Sequence, residues 1–81
     1  MIERRRAPRH RVFKAGTIVI NGVSIINCIV KNISEGGAGL VVETPVGIPD
    51  QIKLLIASEN LIQSCRVVWR SSNRIGVAFM T

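Results

Sequence analysis

The sequence is poor in the groups that chemistry at a catalytic centre needs. Among 81 residues there are one histidine, two cysteines and five carboxylates. Cys28 and Cys65 stand alone in apolar runs with no CxxC. A structural zinc needs about four such ligands at close spacing, so none is expected. The two thiols read instead as small buried hydrophobes in a reducing compartment. His10 lies among arginines and reads as a solvated or phosphate-adjacent group. With no carboxylate cluster and no nucleophile beside a base, neither an enzyme nor a cofactor is expected.

Aromatics are also scarce: one tryptophan, two phenylalanines and no tyrosine. A single-strand nucleic-acid binder stacks bases on exposed aromatics. Here Trp69 and Phe79 read as core residues of a last hairpin, which argues against a nucleic-acid polymer as partner. Long apolar runs are missing as well. "AGTIVINGVSIINCIV" is broken by Asn21-Gly22, Ser24 and Asn27. It falls short of the roughly 20 residues of a membrane helix, and no cleavage site follows it. No membrane span is expected, and the cytoplasm is the expected location.

Isoleucine and valine dominate, with 22 against four leucines. Branching at Cβ stiffens χ1 and suits a pleated sheet. The pattern predicts six strands: "VFKAGTIVIN", "VSIINCIVKNI", "AGLVVE", "QIKLLIA", "LIQSCRVVWR" and "RIGVAFM". Asn21-Gly22 signals a two-residue hairpin between the first two. In the second, Ile26, Cys28 and Val30 share one face, and Ile25, Asn27 and Ile29 the other. Connections are short, so neighbours are antiparallel. Closing the strands on themselves buries one face and removes exposed edges. The expected fold is all-β: a small six-stranded antiparallel β-barrel over residues 12–81. No long C-terminal helix is expected.

The net charge of +6 is uneven. Residues 1–14 hold six basic side chains against Glu3 alone, a net +5, which leaves +1 for the rest. Residues 1–11 therefore read as a flexible arginine-rich arm on a nearly neutral body. Pro8 keeps Ala7 extended, against a helix there. Such an arm seeks an anionic partner. Arg5 and Arg9 are spaced RxxxR, with Arg4 before and Arg6 between. An arginine fork can hold a phosphate or the O6/N7 edge of guanine, and its plane can stack on a base. A solvated basic tail reads the same way.

One stretch breaks the strand pattern sharply: "NISEGGAG", residues 32–39. Asn32 and Ser34 are two apart and project from one face if the strand persists. Their donors and acceptors can read the edge of a base. Gly36, Gly37 and Gly39 let the backbone turn or approach a ligand. An ordinary tight turn favours the same residues.

Together, "RRAPR" and "NISEGG" resemble the two-part signature of the PilZ domain, RxxxR followed by (D/N)xSxxG. "GAGLVV" and "CRVVWRSSNRIGVAF" resemble that family's third strand and last hairpin. The resemblance implies a bacterial receptor for cyclic di-GMP. It implies that Arg5 and Arg9 grip guanine and phosphate, while Asn32, Ser34 and the Gly36-Gly37 backbone read a second guanine. Arg4 resembles the family pattern that favours an intercalated pair of ligands. Ligand binding would order the arm and signal to a downstream protein not identifiable from the sequence.

The chain departs from the family pattern in three ways. Asn32 stands where Asp is common and lacks its full charge, so the same role with weaker affinity is expected. The family's C-terminal helix is absent, leaving a barrel opening that a homodimer could cover. No output module is expected, so the domain would act through a partner or within a larger assembly. Lesser candidates for the anionic site are Arg6, Trp69 and Arg70, with Arg66 and Arg70 read as sharing a strand face. The alternative function is a protein-interaction module of the same fold that does not bind cyclic di-GMP. In that reading the apolar second face of strand two, Ile25 and Ile29, matters more than the arm.

Overall fold

The computed structural model describes residues 10–80. Arg4, Arg5, Arg6 and Arg9 therefore lie outside the described residues, as does most of the segment read as an arm. Six strands form the chain: β1 (His10–Ile20), β2 (Ser24–Ile33), β3 (Gly37–Val41), β4 (Gln51–Ile56), β5 (Leu61–Arg70) and β6 (Arg74–Phe79). They close into an antiparallel barrel, as the strand pattern implied, in the order β1-β2-β3-β6-β5-β4. The first strand begins at His10, two residues before the boundary set from sequence. Among the described residues the only helical element is a 3-10 turn, Ala57–Glu59, which ends where Asn60 takes a left-handed conformation.

The core is built from one side of every strand. Ile18, Val30, Leu40, Leu54, Ile56, Cys65 and Ile75 are fully buried, and among the described residues no polar side chain is buried with them. Each such aliphatic contributes on the order of 1.5–3 kcal/mol by leaving water. The alternation read in β2 holds for Cys28 and Val30, which are buried, against Ile25, which is exposed. At the β1–β2 turn Asn21 and Gly22 both have positive φ. Val23 joins them, because Ile20 pairs with Ser24. The connection is thus one residue longer than the two-residue turn expected.

The long loop between β3 and β4 carries Ile48 into the core. Arg70 holds it there: its Nη1 donates to the Ile48 carbonyl at 2.6 Å and its Nη2 pairs with Asp50 at 2.9 Å.

Register shifts fall in three places: between Arg11 and Lys14 of β1, and in β5 and β2, where two irregularities place side chains against the simple period of two. Val67 pairs with Val77, and Trp69 with Gly76, so β5 carries one extra residue at Val68. A bulge of this kind reverses the alternation beyond it. Arg66 lies opposite Ala78, whereas Arg70 lies opposite the buried Ile75. Arg66 and Arg70 are therefore on opposite faces, not on one face as read from sequence. The same bulge turns Trp69 outward. It is 45% exposed and not a core residue.

Candidate functional site

The second irregularity builds the site. Val30 pairs with Leu40, but Asn32 pairs with Gly39 and Ile33 with Ala38. Counted against β3, β2 has one extra residue, Lys31. Without it, Asn32 would follow Cys28 and Val30 into the core. With it, Ile33 takes the inward position and packs on the core, and Asn32 faces out. Ser34 follows on the outer side and closes a tight turn. Its backbone N–H donates to the Gly37 carbonyl at 2.8 Å, and its hydroxyl reaches the same oxygen at 3.4 Å. Beyond the bulge the period of two resumes, so Asn32 and Ser34 share a side of the strand, and the extra residue makes that side the outer one.

The glycines of this stretch do different jobs. A methyl group at Gly37 would run into the backbone carbonyl oxygen of Val77, so Gly37 lets β3 lie close on β6. A methyl at Gly39 would meet the Asn32 carboxamide at 2.7 Å. Gly39 thus receives a side chain of its own protein. Only Gly36 has nothing within 4 Å of where its Cβ would stand. Its carbonyl is tied to the Phe79 N–H at 2.8 Å, which holds the turn against β6. Among the three, Gly36 alone leaves open space for a ligand.

Gly39 pairs with Gly76, and Gly76 with Trp69. A methyl at Gly76 would overlap the indole of Trp69. The Asn32 amide and the Trp69 ring therefore lie flat on adjacent glycines of neighbouring strands. Between them is a small recess, lined also by Lys31, Leu40 and Arg74. It opens toward a larger cleft of about 500 Å³ lined by Arg11, Val12, Phe13, Lys31, Asn32 and Arg74.

The cleft is cationic. Arg11, Lys31 and Arg74 have no carboxylate partner among the described residues, where the ion pairs are Lys14–Glu59 and Arg70–Asp50. Lys31 sits over the Phe13 ring, 5.1 Å from its centroid. Phe13 is 75% exposed. Cations beside flat π surfaces suit an anionic, aromatic ligand. Arg70 is turned away to clasp Asp50 and Ile48. Arg66 lies on the outer face, in the row of Gly37 and Ala78.

Sequence reasoning did not single out Phe13, Lys31 or Arg74. One signal was available. Period two through Ile26, Cys28 and Val30 would bury Asn32 and expose Ile33, and that conflict marks a bulge. Arg11 was counted only as arm charge, yet it pairs with Asn32 inside the sheet.

Burial pushes the Cys28 thiol up to about 11. Cys65 rises to about 11 for the same reason, against a smaller lowering from a hydrogen bond with the Leu54 backbone. Both thiols are protonated at neutral pH and poor nucleophiles. Among the described residues no group of three metal-ligating side chains exists, and no helix is long and apolar enough to cross a membrane.

No curated protein matches the chain significantly. The family model of the PilZ domain matches residues 3–81, essentially end to end. That family is one of binding domains, generally receptors for cyclic di-GMP. The match agrees with the six-stranded closed barrel, and the chain belongs to the PilZ domain family.

Proposed function

We propose that this chain is a receptor for cyclic di-GMP. Its site joins Arg4, Arg5 and Arg9 of the N-terminal segment to Asn32, Ser34, Gly36 and Gly37 on the barrel. The observation that carries the reading is the bulge at Lys31. It turns Asn32 outward beside three cations that have no acidic partner among the described residues, and the Arg11–Asn32 pairing sets the start of β1 beside it. Cyclic di-GMP has two phosphates and two guanines. Arginine forks and Lys31 meet the phosphates, while Asn32 and Ser34 offer hydrogen bonds to a guanine edge. Trp69 joins the site as a flat surface beside Asn32, and Arg6 adds charge. Binding orders the N-terminal segment and changes the surface that a partner protein meets.

Isothermal titration calorimetry tests this. Cyclic di-GMP should bind, GTP should bind far more weakly, and Arg9→Ala should abolish the heat. Normal binding by Arg9→Ala would remove the N-terminal segment from the site. The stoichiometry reads out the role given to Arg4, since an intercalated pair requires two ligands per chain.

A second reading has one specific observation behind it. Phe13 and Trp69 are exposed in the cationic cleft, so the scarcity of aromatics does not exclude a single-stranded nucleic acid. Single-stranded DNA in the same titration decides. Binding that fades steeply with salt, with no heat from cyclic di-GMP, would favour it.

A further inference from the structure

We propose that the N-terminal half of β2 is a pairing edge, and that a second copy of this chain adds to it antiparallel, strand to strand. The barrel is closed, but its strands differ in length. β2 pairs with β1 along its whole length, from Ser24 to Ile33, whereas β3 joins it only from Ile29 onward. Residues 24–28 thus have a strand on one side only, and among the described residues no backbone bond reaches them from the other. A row of peptide groups without a neighbour is a template for another strand.

Two other open edges of the barrel are guarded. The N-terminal half of β1 is unpaired on its β4 side, since β4 reaches only Thr17–Val19. It carries His10, Arg11 and Lys14, and Lys14 is tied to Glu59 at 2.8 Å. On β5, the stretch before Ser64 is capped by Gln63, whose amide donates to the Met80 carbonyl at 2.7 Å. Charged side chains and covered peptide groups are the usual defences of an edge. Residues 23–30, VSIINCIV, have none: no charge, no proline, and no bulge before Lys31. Apolar side chains stand exposed there, Ile25 at 68% and Val23 at 82%.

The occupant follows from self-complementarity. A two-fold axis perpendicular to the sheet pairs a strand with itself, so one patch serves both partners. Directly opposed residues in an antiparallel pair share a face. With the axis at Ile26, Ile25 lies opposite Asn27 of the second copy and Ser24 opposite Cys28, each with its outer or inner face matched. Two copies of a chain of net charge +6 repel. This stretch is uncharged, and Arg11 and Lys31 lie toward the other end of β2, so pairing here keeps those charges apart.

Sedimentation velocity of the full chain without ligand, from micromolar to millimolar concentration, is the test. The weight-average mass should double across that range, and amide exchange in 24–28 should slow with it. Ile25→Lys and Asn27→Lys alter exposed outward positions. Each should leave the thermal melt of the monomer unchanged and hold the protein monomeric. A wild type that stays monomeric throughout overturns the proposal, whatever other chain the edge might take. So does a dimer that survives both lysine variants.

Discussion

The two halves of β2 meet opposite demands with the same residue types. The half from Ile29 to Ile33 is paired on both sides, interrupted by Lys31, and surrounded by cations. The half from Ser24 to Cys28 is regular, neutral and paired on one side. A single extra residue separates them. Up to Val30 the alternation is undisturbed and serves the core. Beyond it the alternation reverses, and a polar side chain that would have been buried is presented to solvent. Regular pairing stabilises the barrel, and the interruption supplies the candidate site.

The largest effect expected from breaking this contrast is on stability, at the two turns that flank β2. Gly37→Ala drives a methyl into the Val77 carbonyl, a backbone atom that cannot swing aside. Overpacking against backbone should cost about 3 kcal/mol. Gly22 has open space but φ of +72°. Gly22→Ala should cost only about 1 kcal/mol, the penalty of a left-handed alanine. Urea unfolding of the pair measures both. Equal losses would mean that the close approach of β3 to β6 is not what demands glycine.

Next in size are effects on ligand affinity that leave the fold alone. Gly36→Ala meets no atom in the unliganded barrel, so its melting temperature should match wild type. Its affinity for cyclic di-GMP should drop more than tenfold, about 1.4 kcal/mol, because the methyl fills the space the ligand enters. Asn32→Ala should lose a comparable amount through the missing guanine contact. Titration calorimetry beside a thermal melt separates binding from folding. Wild-type affinity in both variants would point to the protein-interaction alternative.

How much of this was legible beforehand follows the same division. The β-branched residues and the Asn21-Gly22 turn fixed six strands, because period two is a local property that survives in the fold. The two bulges were not legible in the same way. Which residue is extra depends on the register against β3 and β6, a non-local fact. Hence Trp69 was read as core and Arg66 and Arg70 as neighbours, and Arg74 went unremarked. The Asn32/Ser34 motif was found because it resembles a family signature. The reason it works on this backbone appears only when Lys31 is counted against β3.

A smaller effect should come from Arg74→Ala. Arg74 contacts no acid among the described residues and lines the cleft from β6, so the fold should not depend on it. If it meets a phosphate, affinity should fall several-fold and the dependence on salt should become shallower. An unchanged salt dependence would place the phosphates elsewhere, nearer the N-terminal arginines. Ile25→Lys, at the other end of β2, should leave affinity and its salt dependence untouched.

The smallest stability change is expected at Phe13. The ring is 75% exposed, and the Lys31 ammonium lies over it, 5.1 Å from its centroid. A cation–π contact at an exposed site is worth about 0.5–1 kcal/mol. Leucine at this position keeps most of the apolar contact with the strand and loses the π face. Phe13→Leu should therefore unfold within about 0.5 kcal/mol of wild type. If the ring is a stacking surface of the cleft, affinity falls while stability holds, and the loss is largest for whichever partner stacks on it, cyclic di-GMP or single-stranded DNA. If affinity is unchanged for both, the ring only shields Lys31, and the flat surface on the other side of the cleft, Trp69 on Gly76, must carry any stacking alone. A stability loss well above 1 kcal/mol would mean that Phe13 holds β1 against the bulge, and that the site is built by packing across β1 and β2 as well as by the count of residues in β2.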